Sequence, residues 1–218
     1  YVFQSVERSI QYGSTTSNEP ANTTDEYGLK ISRIFGKKQK LASDYKTLIE
    51  GSSDVYFGSS LLFTQIDTGF HGLTGTAILD EKELGYNLFS GISINDNFDI
   101  ELSYNDFGEA SLSGTTGQQF KIDGTTYEWT ANATLTSSAT SHGFSAKPKV
   151  ELSNGVFAYG KLGLHRWDSG FEVSSTNTSA SLTETGTDVF YGGGVEVSLD
   201  QIQGRIGYSR YDIDGSPL

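Results

Sequence analysis

The sequence contains no cysteine, no methionine and only 3 prolines. Without cysteine there is no disulfide, no thiol nucleophile and no cysteine-ligated metal, and the chain suits an exported protein that folds without an oxidative staple. No stretch approaches the eighteen or so consecutive apolar residues that a membrane-crossing helix needs, so that class is excluded. A membrane-crossing barrel is not excluded, because only every second strand residue meets lipid and a hydrophobic content of 35% suffices. A basic face is also missing. With 15 Lys and Arg against 27 Asp and Glu, the net charge is -12. Nothing here could replace phosphate counterions, so nucleic acid is excluded as a partner. The chain opens at Tyr1 without a basic and apolar leader, which reads as a processed or truncated N-terminus.

What is present describes a sheet. The 26 glycines, 12 tyrosines and 13 phenylalanines fit strands joined by tight turns, and 218 residues suit one large all-β domain. Period two is clearest over Asp188–Tyr211. Val189, Tyr191, Gly193, Val195, Val197 and Leu199 share one face, while Phe190, Gly192, Gly194, Glu196 and Ser198 share the other. After Asp200-Gln201 the pattern resumes, with Ile202, Gly204, Ile206 and Tyr208 opposite Gln203, Arg205, Gly207 and Ser209. This predicts a hairpin.

Two more hairpins read the same way. Leu84, Tyr86, Leu88, Ile92 and Ile94 precede an Asn95-Asp96-Asn97 turn, and Phe98, Ile100, Leu102 and Tyr104 follow, opposed by Asp99, Glu101, Ser103 and Asn105. Phe144, Ala146, Pro148, Val150 and Leu152 oppose Ser145, Lys147, Lys149 and Glu151. The chain then turns at Ser153-Asn154-Gly155 and returns through Val156, Ala158, Leu162 and Leu164, with Lys161 and Gly163 on the other face.

Earlier segments alternate more loosely. Tyr27, Leu29, Ile31 and Phe35 alternate with Gly28, Lys30 and Ser32; Leu41–Ile49 follows a Gly36-Lys37-Lys38 turn; Val55, Phe57, Leu61 and Phe63 mark another strand. With Val2–Tyr12 the total is about 8–10 strands. Thr68–Glu83 reads equally as loop or strand. The Ser-, Thr- and Gly-rich stretches 109–141 and 168–187 read as long loops, so short turns alternate with long loops, as in an antiparallel up-and-down transmembrane barrel with short periplasmic turns and long outer loops.

On this pattern, Gly91-Ile92-Ser93-Ile94 through Asp99–Gly108 resembles the second and third strands of OmpA-like and opacity-type outer-membrane proteins. Ala158–Gly163 and Tyr191–Glu196 resemble later strands of the same family, and the likeness runs from Asp54 to Asp212. It implies a small barrel, usually eight-stranded, with a polar interior and a role in membrane integrity, adhesion or slow solute passage. Residues 1–53 are then an N-terminal extension carrying additional strands. Residues 54–218 form the barrel, and they end at Gly215–Leu218 without the closing strand and terminal aromatic usual in the family. Either the chain is cut short or its N-terminal strands complete the sheet.

If the apolar faces meet lipid, Lys30, Glu101, Lys147, Lys149, Glu151, Lys161, Glu196 and Arg205 collect inside the barrel. Glu196 and Arg205 share a face on adjoining strands, close enough for a cross-strand pair. The network is either a filling polar core or a charge-lined pore. Tyr86, Phe98, Tyr104, Trp167, Tyr208 and Tyr211 suit interfacial aromatic girdles.

No catalytic constellation is read. His142 and Ser145, three apart on an extended strand, fall on opposite faces, and His165 falls inside. Asp212-x-Asp214-Gly215 lacks the Glu that completes a calcium loop. No metal or cofactor is expected. The leading expectation is a non-enzymatic outer-membrane barrel contacting outer-membrane lipids and lipopolysaccharide, with surface partners meeting segments 109–141 and 168–187. The competing readings are a small porin-like channel with a charged lumen and a soluble, secreted β-sandwich that binds glycans.

Overall fold

The structure, a computed structural model, describes residues 22–35, 54–122, 124–176, 178–199 and 202–213. Its strands are β1 (Asn22–Phe35), β2 (Asp54–Ile66), β3 (Ile78–Asp80), β4 (Lys82–Asn95), β5 (Phe98–Gly114), β6 (Gln119–Ile122), β7 (Thr125–Glu128), β8 (Ala133–Ser153), β9 (Val156–Ser175), β10 (Thr178–Leu199) and β11 (Ile202–Ile213).

The long strands pair antiparallel in the order β1-β2-β4-β5-β8-β9-β10-β11, and β11 pairs back onto β1. Every long strand therefore has two neighbours, and the ring leaves no free edge around its girth. Among the described residues the expected 8–10 strands resolve into this ring plus the short β3, β6 and β7. Strand β1 occupies the place between β2 and β11, with Gly28 opposite both Leu62 and Gly207. The expected strands at Val2–Tyr12 and Leu41–Ile49 lie outside the described residues. Thr68–Glu83 is mostly irregular and contributes only β3 and the first residues of β4.

Period two decides the two faces. On β10 Val195 is 43% exposed while the adjacent Glu196 is fully buried. Outward apolar residues run from Leu199 up to Val189 on β10, from Ile94 up to Leu84 on β4 and from Leu152 up to Phe144 on β8. At the usual strand tilt such a stretch makes a band roughly 25 Å tall, the height of a bilayer's hydrocarbon core. This band, exposed on β2, β4, β5, β8, β9, β10 and β11, is the reverse of a soluble sandwich.

Beyond the band the strands continue. β10 runs for 22 residues and β8 for 21, about twice the 9–11 that a crossing strand needs. The stretches expected to be loops are therefore largely strand: 109–141 contains the end of β5, the β6–β7 hairpin and the start of β8, and 168–187 is the paired end of β9 and start of β10. Their composition misleads because the outward face of β8 and β10 is Thr and Ser, which suit strands, and that of β9 is Asp168, Gly170, Glu172 and Ser174, while the inward apolar residues are few.

A bulge adds to the disguise. Register shifts between Asp106 and Glu109 on β5, with Gly108 at φ 81°, a conformation glycine adopts without strain. Inward positions are odd through Phe107 and even from Ala110 onward.

Candidate functional site

The inward residues of β5 change character from the short-turn end upward: Asp99 and Glu101, then Asn105, then Phe107, then Leu112 beyond the bulge. Each level meets matching residues from other strands, so the interior is a stack of layers.

The lowest layer is ionic. Because β5 and β11 stand on opposite sides of the ring, the Arg205 Nη1 to Glu101 Oε1 contact of 2.5 Å spans the barrel. Lys161 from β9 reaches Glu101 Oε2 at 2.7 Å, and Lys147 from β8 reaches Glu101, Asp99 and Glu196 at 3.3, 2.8 and 2.8 Å. Lys149 pairs with Asp99 at 2.8 Å, and Arg205 Nε lies 2.7 Å from Glu196, its direct neighbour in the β10–β11 register. Desolvating these ions costs several kcal/mol each, and partners on every side offset that cost.

Two members of this layer escape a reading based on charge and hairpins alone. The Tyr56 hydroxyl, from β2, donates to Glu101 at 2.6 Å. Gln203 donates to Glu196 at 3.0 Å and accepts from Arg205 at 3.2 Å. Asp99 was legible, since it shares its face with Glu101. Gly91 stands opposite Tyr56 in the β2–β4 register because a side chain there would enter the tyrosine ring.

Of the eight residues expected in the lumen, Glu101, Lys147, Lys149, Lys161, Glu196 and Arg205 come together here. Lys30 sits on β1 opposite Arg205 and Ser60, and its side chain lies outside the described residues. Glu151 does not join them: it is exposed at the end of β8 and accepts the Gly155 amide at 3.2 Å, closing the β8–β9 turn. Alternation loses its inside near the rim, where the strand leaves the barrel.

Above the ions lies an amide layer. Asn87 donates to Asn105 at 2.6 Å, and Asn105 donates to Ser141 at 2.9 Å. The next layer is aromatic, with Phe190 stacked on Tyr211 at 4.7 Å and Phe107 edge-on to Tyr211 at 5.0 Å. His165 meets the same rings at 5.8 and 5.2 Å, and its Nε2 contacts the Asp212 carbonyl at 2.9 Å.

Trp167 and Tyr211, expected in the girdle, are buried in this layer, and Trp167 Nε1 donates to Asp188 at 2.6 Å. Parity explains the correction: Trp167 follows His165 by two and Tyr211 follows Ser209 by two, so both point inward. Tyr86 and Tyr104 do face outward, 6.0 Å apart at the top of the apolar band, with His142 5.1 Å from Tyr104. Tyr208 and Phe98 are half-buried on outward positions. His142 is exposed and Ser145 buried, on opposite faces of β8.

A cap closes the stack. Phe120, Ile122 and Trp129, on and beside the β6–β7 hairpin, pack onto Leu112 and Leu135 inside the projecting wall. Paired backbone bonds between His71 and Lys121, at 3.0 and 2.7 Å, tie the hairpin to the β2–β3 connection.

These features define a class: a closed, membrane-spanning antiparallel barrel whose β5, β8, β9 and β10 run on past the apolar band. The family description "OmpA-like transmembrane domain" matches residues 50–211. The chain belongs to that family and is a protein of the bacterial outer membrane. Solved structures it resembles include Ail, the attachment invasion locus protein of Yersinia pestis, at 16% identity and TM-score 0.31, covering 88% of this chain and 100% of that one. Ail in complex with the heparin analogue sucrose octasulfate gives 14%, 0.33 and the same coverage. The translocator domain of the autotransporter NalP from Neisseria meningitidis gives 12% and 0.27, over 96% of this chain and 95% of that one. No curated protein sequence matches the chain.

Proposed function

We propose that this barrel is a non-enzymatic surface protein whose membrane-spanning half is a plugged anchor and whose projecting wall makes the contacts that matter. The observation that carries this reading is the division of β8 and β10 into an apolar half and a hydroxyl-faced half, with β9 between them turning from apolar to charged and polar residues over the same height and an apolar core behind all three. A pore would need a continuous water path, whereas ions, amides, rings and the cap succeed one another along the interior.

The projecting end faces outside in this reading, and lipopolysaccharide surrounds the rim. Lys82, Arg166 and Arg210 each stand at the first outward position above the apolar band, on β4, β9 and β11. Cations at that height meet the phosphates of the glycolipid headgroup. Adhesion is the natural use of such a wall, and the likeness to Ail is consistent with it.

The test is adhesion by intact cells displaying the protein. Replacing residues 116–131 by a short turn should abolish attachment to epithelial monolayers while leaving the heat-shifted gel mobility of the barrel intact. Undiminished attachment would refute the reading.

A further inference from the structure

We infer that a cleft at the summit of the projecting wall binds an uncharged, extended glycan. This rests on the reading that the projecting end faces outward. The cleft, of about 300 Å³, lies where β5, β8 and β9 end, beside the β2–β3 connection. Ser113 is opposite Thr134 and Thr134 is opposite Ser174, so three outward hydroxyls form one row across three strands. Ser113 Oγ and Thr134 Oγ1 are 3.0 Å apart. Thr76 and Asn132 extend the polar lining on either side.

Three features select the ligand. First, no ionisable side chain lines the cleft, so nothing compensates a sulfate, phosphate or carboxylate, whereas hydroxyls and an amide both donate to and accept from sugar hydroxyls. The next row down the wall contains Glu172, opposite Thr136, so neutrality belongs to the summit. Second, neighbouring strands stand ~4.8 Å apart, close to the rise per unit of an extended β-linked glycan, so a chain lying across the strands meets one hydroxyl per sugar. Third, Ile78 continues the row opposite Ser113 with its side chain 67% exposed, an apolar surface for the less polar face of a ring.

The floor is rigid. Leu112, Leu135 and Val173, one residue from each hydroxyl in the row, face the other way into the cap core. Ser175 donates to the Asn132 carbonyl at 2.8 Å and the Asn132 side chain accepts the Thr116 amide at 3.2 Å, fixing the margin. A prearranged row loses little freedom on binding.

The experiment is calorimetry on the full chain, folded in detergent micelles, titrated with cellohexaose, chitohexaose and the anionic probe sucrose octasulfate. The expected result is binding of at least one neutral hexasaccharide, weakened ten-fold or more by Thr134→Val with Ser174→Ala and unchanged by Thr136→Val one row lower. Sucrose octasulfate should neither bind there nor compete. Failure of both hexasaccharides to bind heat-modifiable, folded protein would overturn the inference, as would equal loss with Thr136→Val or competition by sucrose octasulfate. Binding in micelles that is absent on intact cells would leave the cleft assignment standing and overturn the outward orientation instead.

Discussion

Arg205 and Glu101 lie 104 positions apart and form an ion pair across the width of the barrel, each nearly inaccessible to solvent. Glu101 also receives Lys147, Lys161 and Tyr56, so one carboxylate joins strands from both halves of the ring.

Removing either partner strands the other charge in a dry interior. Glu101→Gln and Arg205→Gln should each destabilise the barrel by about 3–5 kcal/mol in a urea titration in lipid bilayers. The double change should depart from additivity by about 0.5–3 kcal/mol. Glu151→Gln, at the exposed turn, should stay within about 0.5 kcal/mol. Additive effects of the first two changes would mean that the residues do not meet.

The height of the apolar band is checked on one face of one strand. Val195 and Thr183 both point outward from β10, the first within the band and the second on the projecting half. Val195→Arg should cost about 2–4 kcal/mol, as for an arginine near the bilayer midplane, falling toward zero outside it. Thr183→Arg should therefore change folding free energy by no more than about 0.5 kcal/mol. Equal costs would displace the membrane boundary.

Much of this arrangement is legible from residues read two at a time. The Glu196–Arg205 pair follows from a single hairpin, and Lys147 and Lys161 follow from the alternation around the Ser153–Gly155 turn. The Arg205–Glu101 contact is different, because it depends on ring closure and no local pattern encodes which strands stand opposite. Tyr56 was hidden between the outward Val55 and Phe57, since a tyrosine there signals packing as readily as a hydrogen bond. Trp167 and Tyr211 were misplaced where aromatic character outweighed parity. The projecting wall was hidden by hydroxyl-rich outward rows and by the bulge at Gly108, which shifts the inward phase by one just where Leu112 would have revealed it.

The cap gives a prediction separable from the barrel. Trp129 is the large buried ring joining the β6–β7 hairpin to the wall, 5.1 Å from Phe120 and packed over Gly114. Trp129→Ala should loosen this core by about 3–5 kcal/mol. Limited proteolysis should then cut within 115–132, while the heated and unheated gel mobilities stay as in the unaltered protein. Resistance to protease would place the hairpin's stability elsewhere.

The central claim is that the barrel is closed and filled, and single-channel recording in planar bilayers tests it most directly. The unaltered protein, inserted at high density in concentrated potassium chloride, should show no conductance steps, because the ionic, amide, aromatic and cap layers occlude the axis in series. Trp129→Ala should remain silent, since three layers persist beneath the cap. Steady, uniform conductance from the unaltered protein would contradict the account.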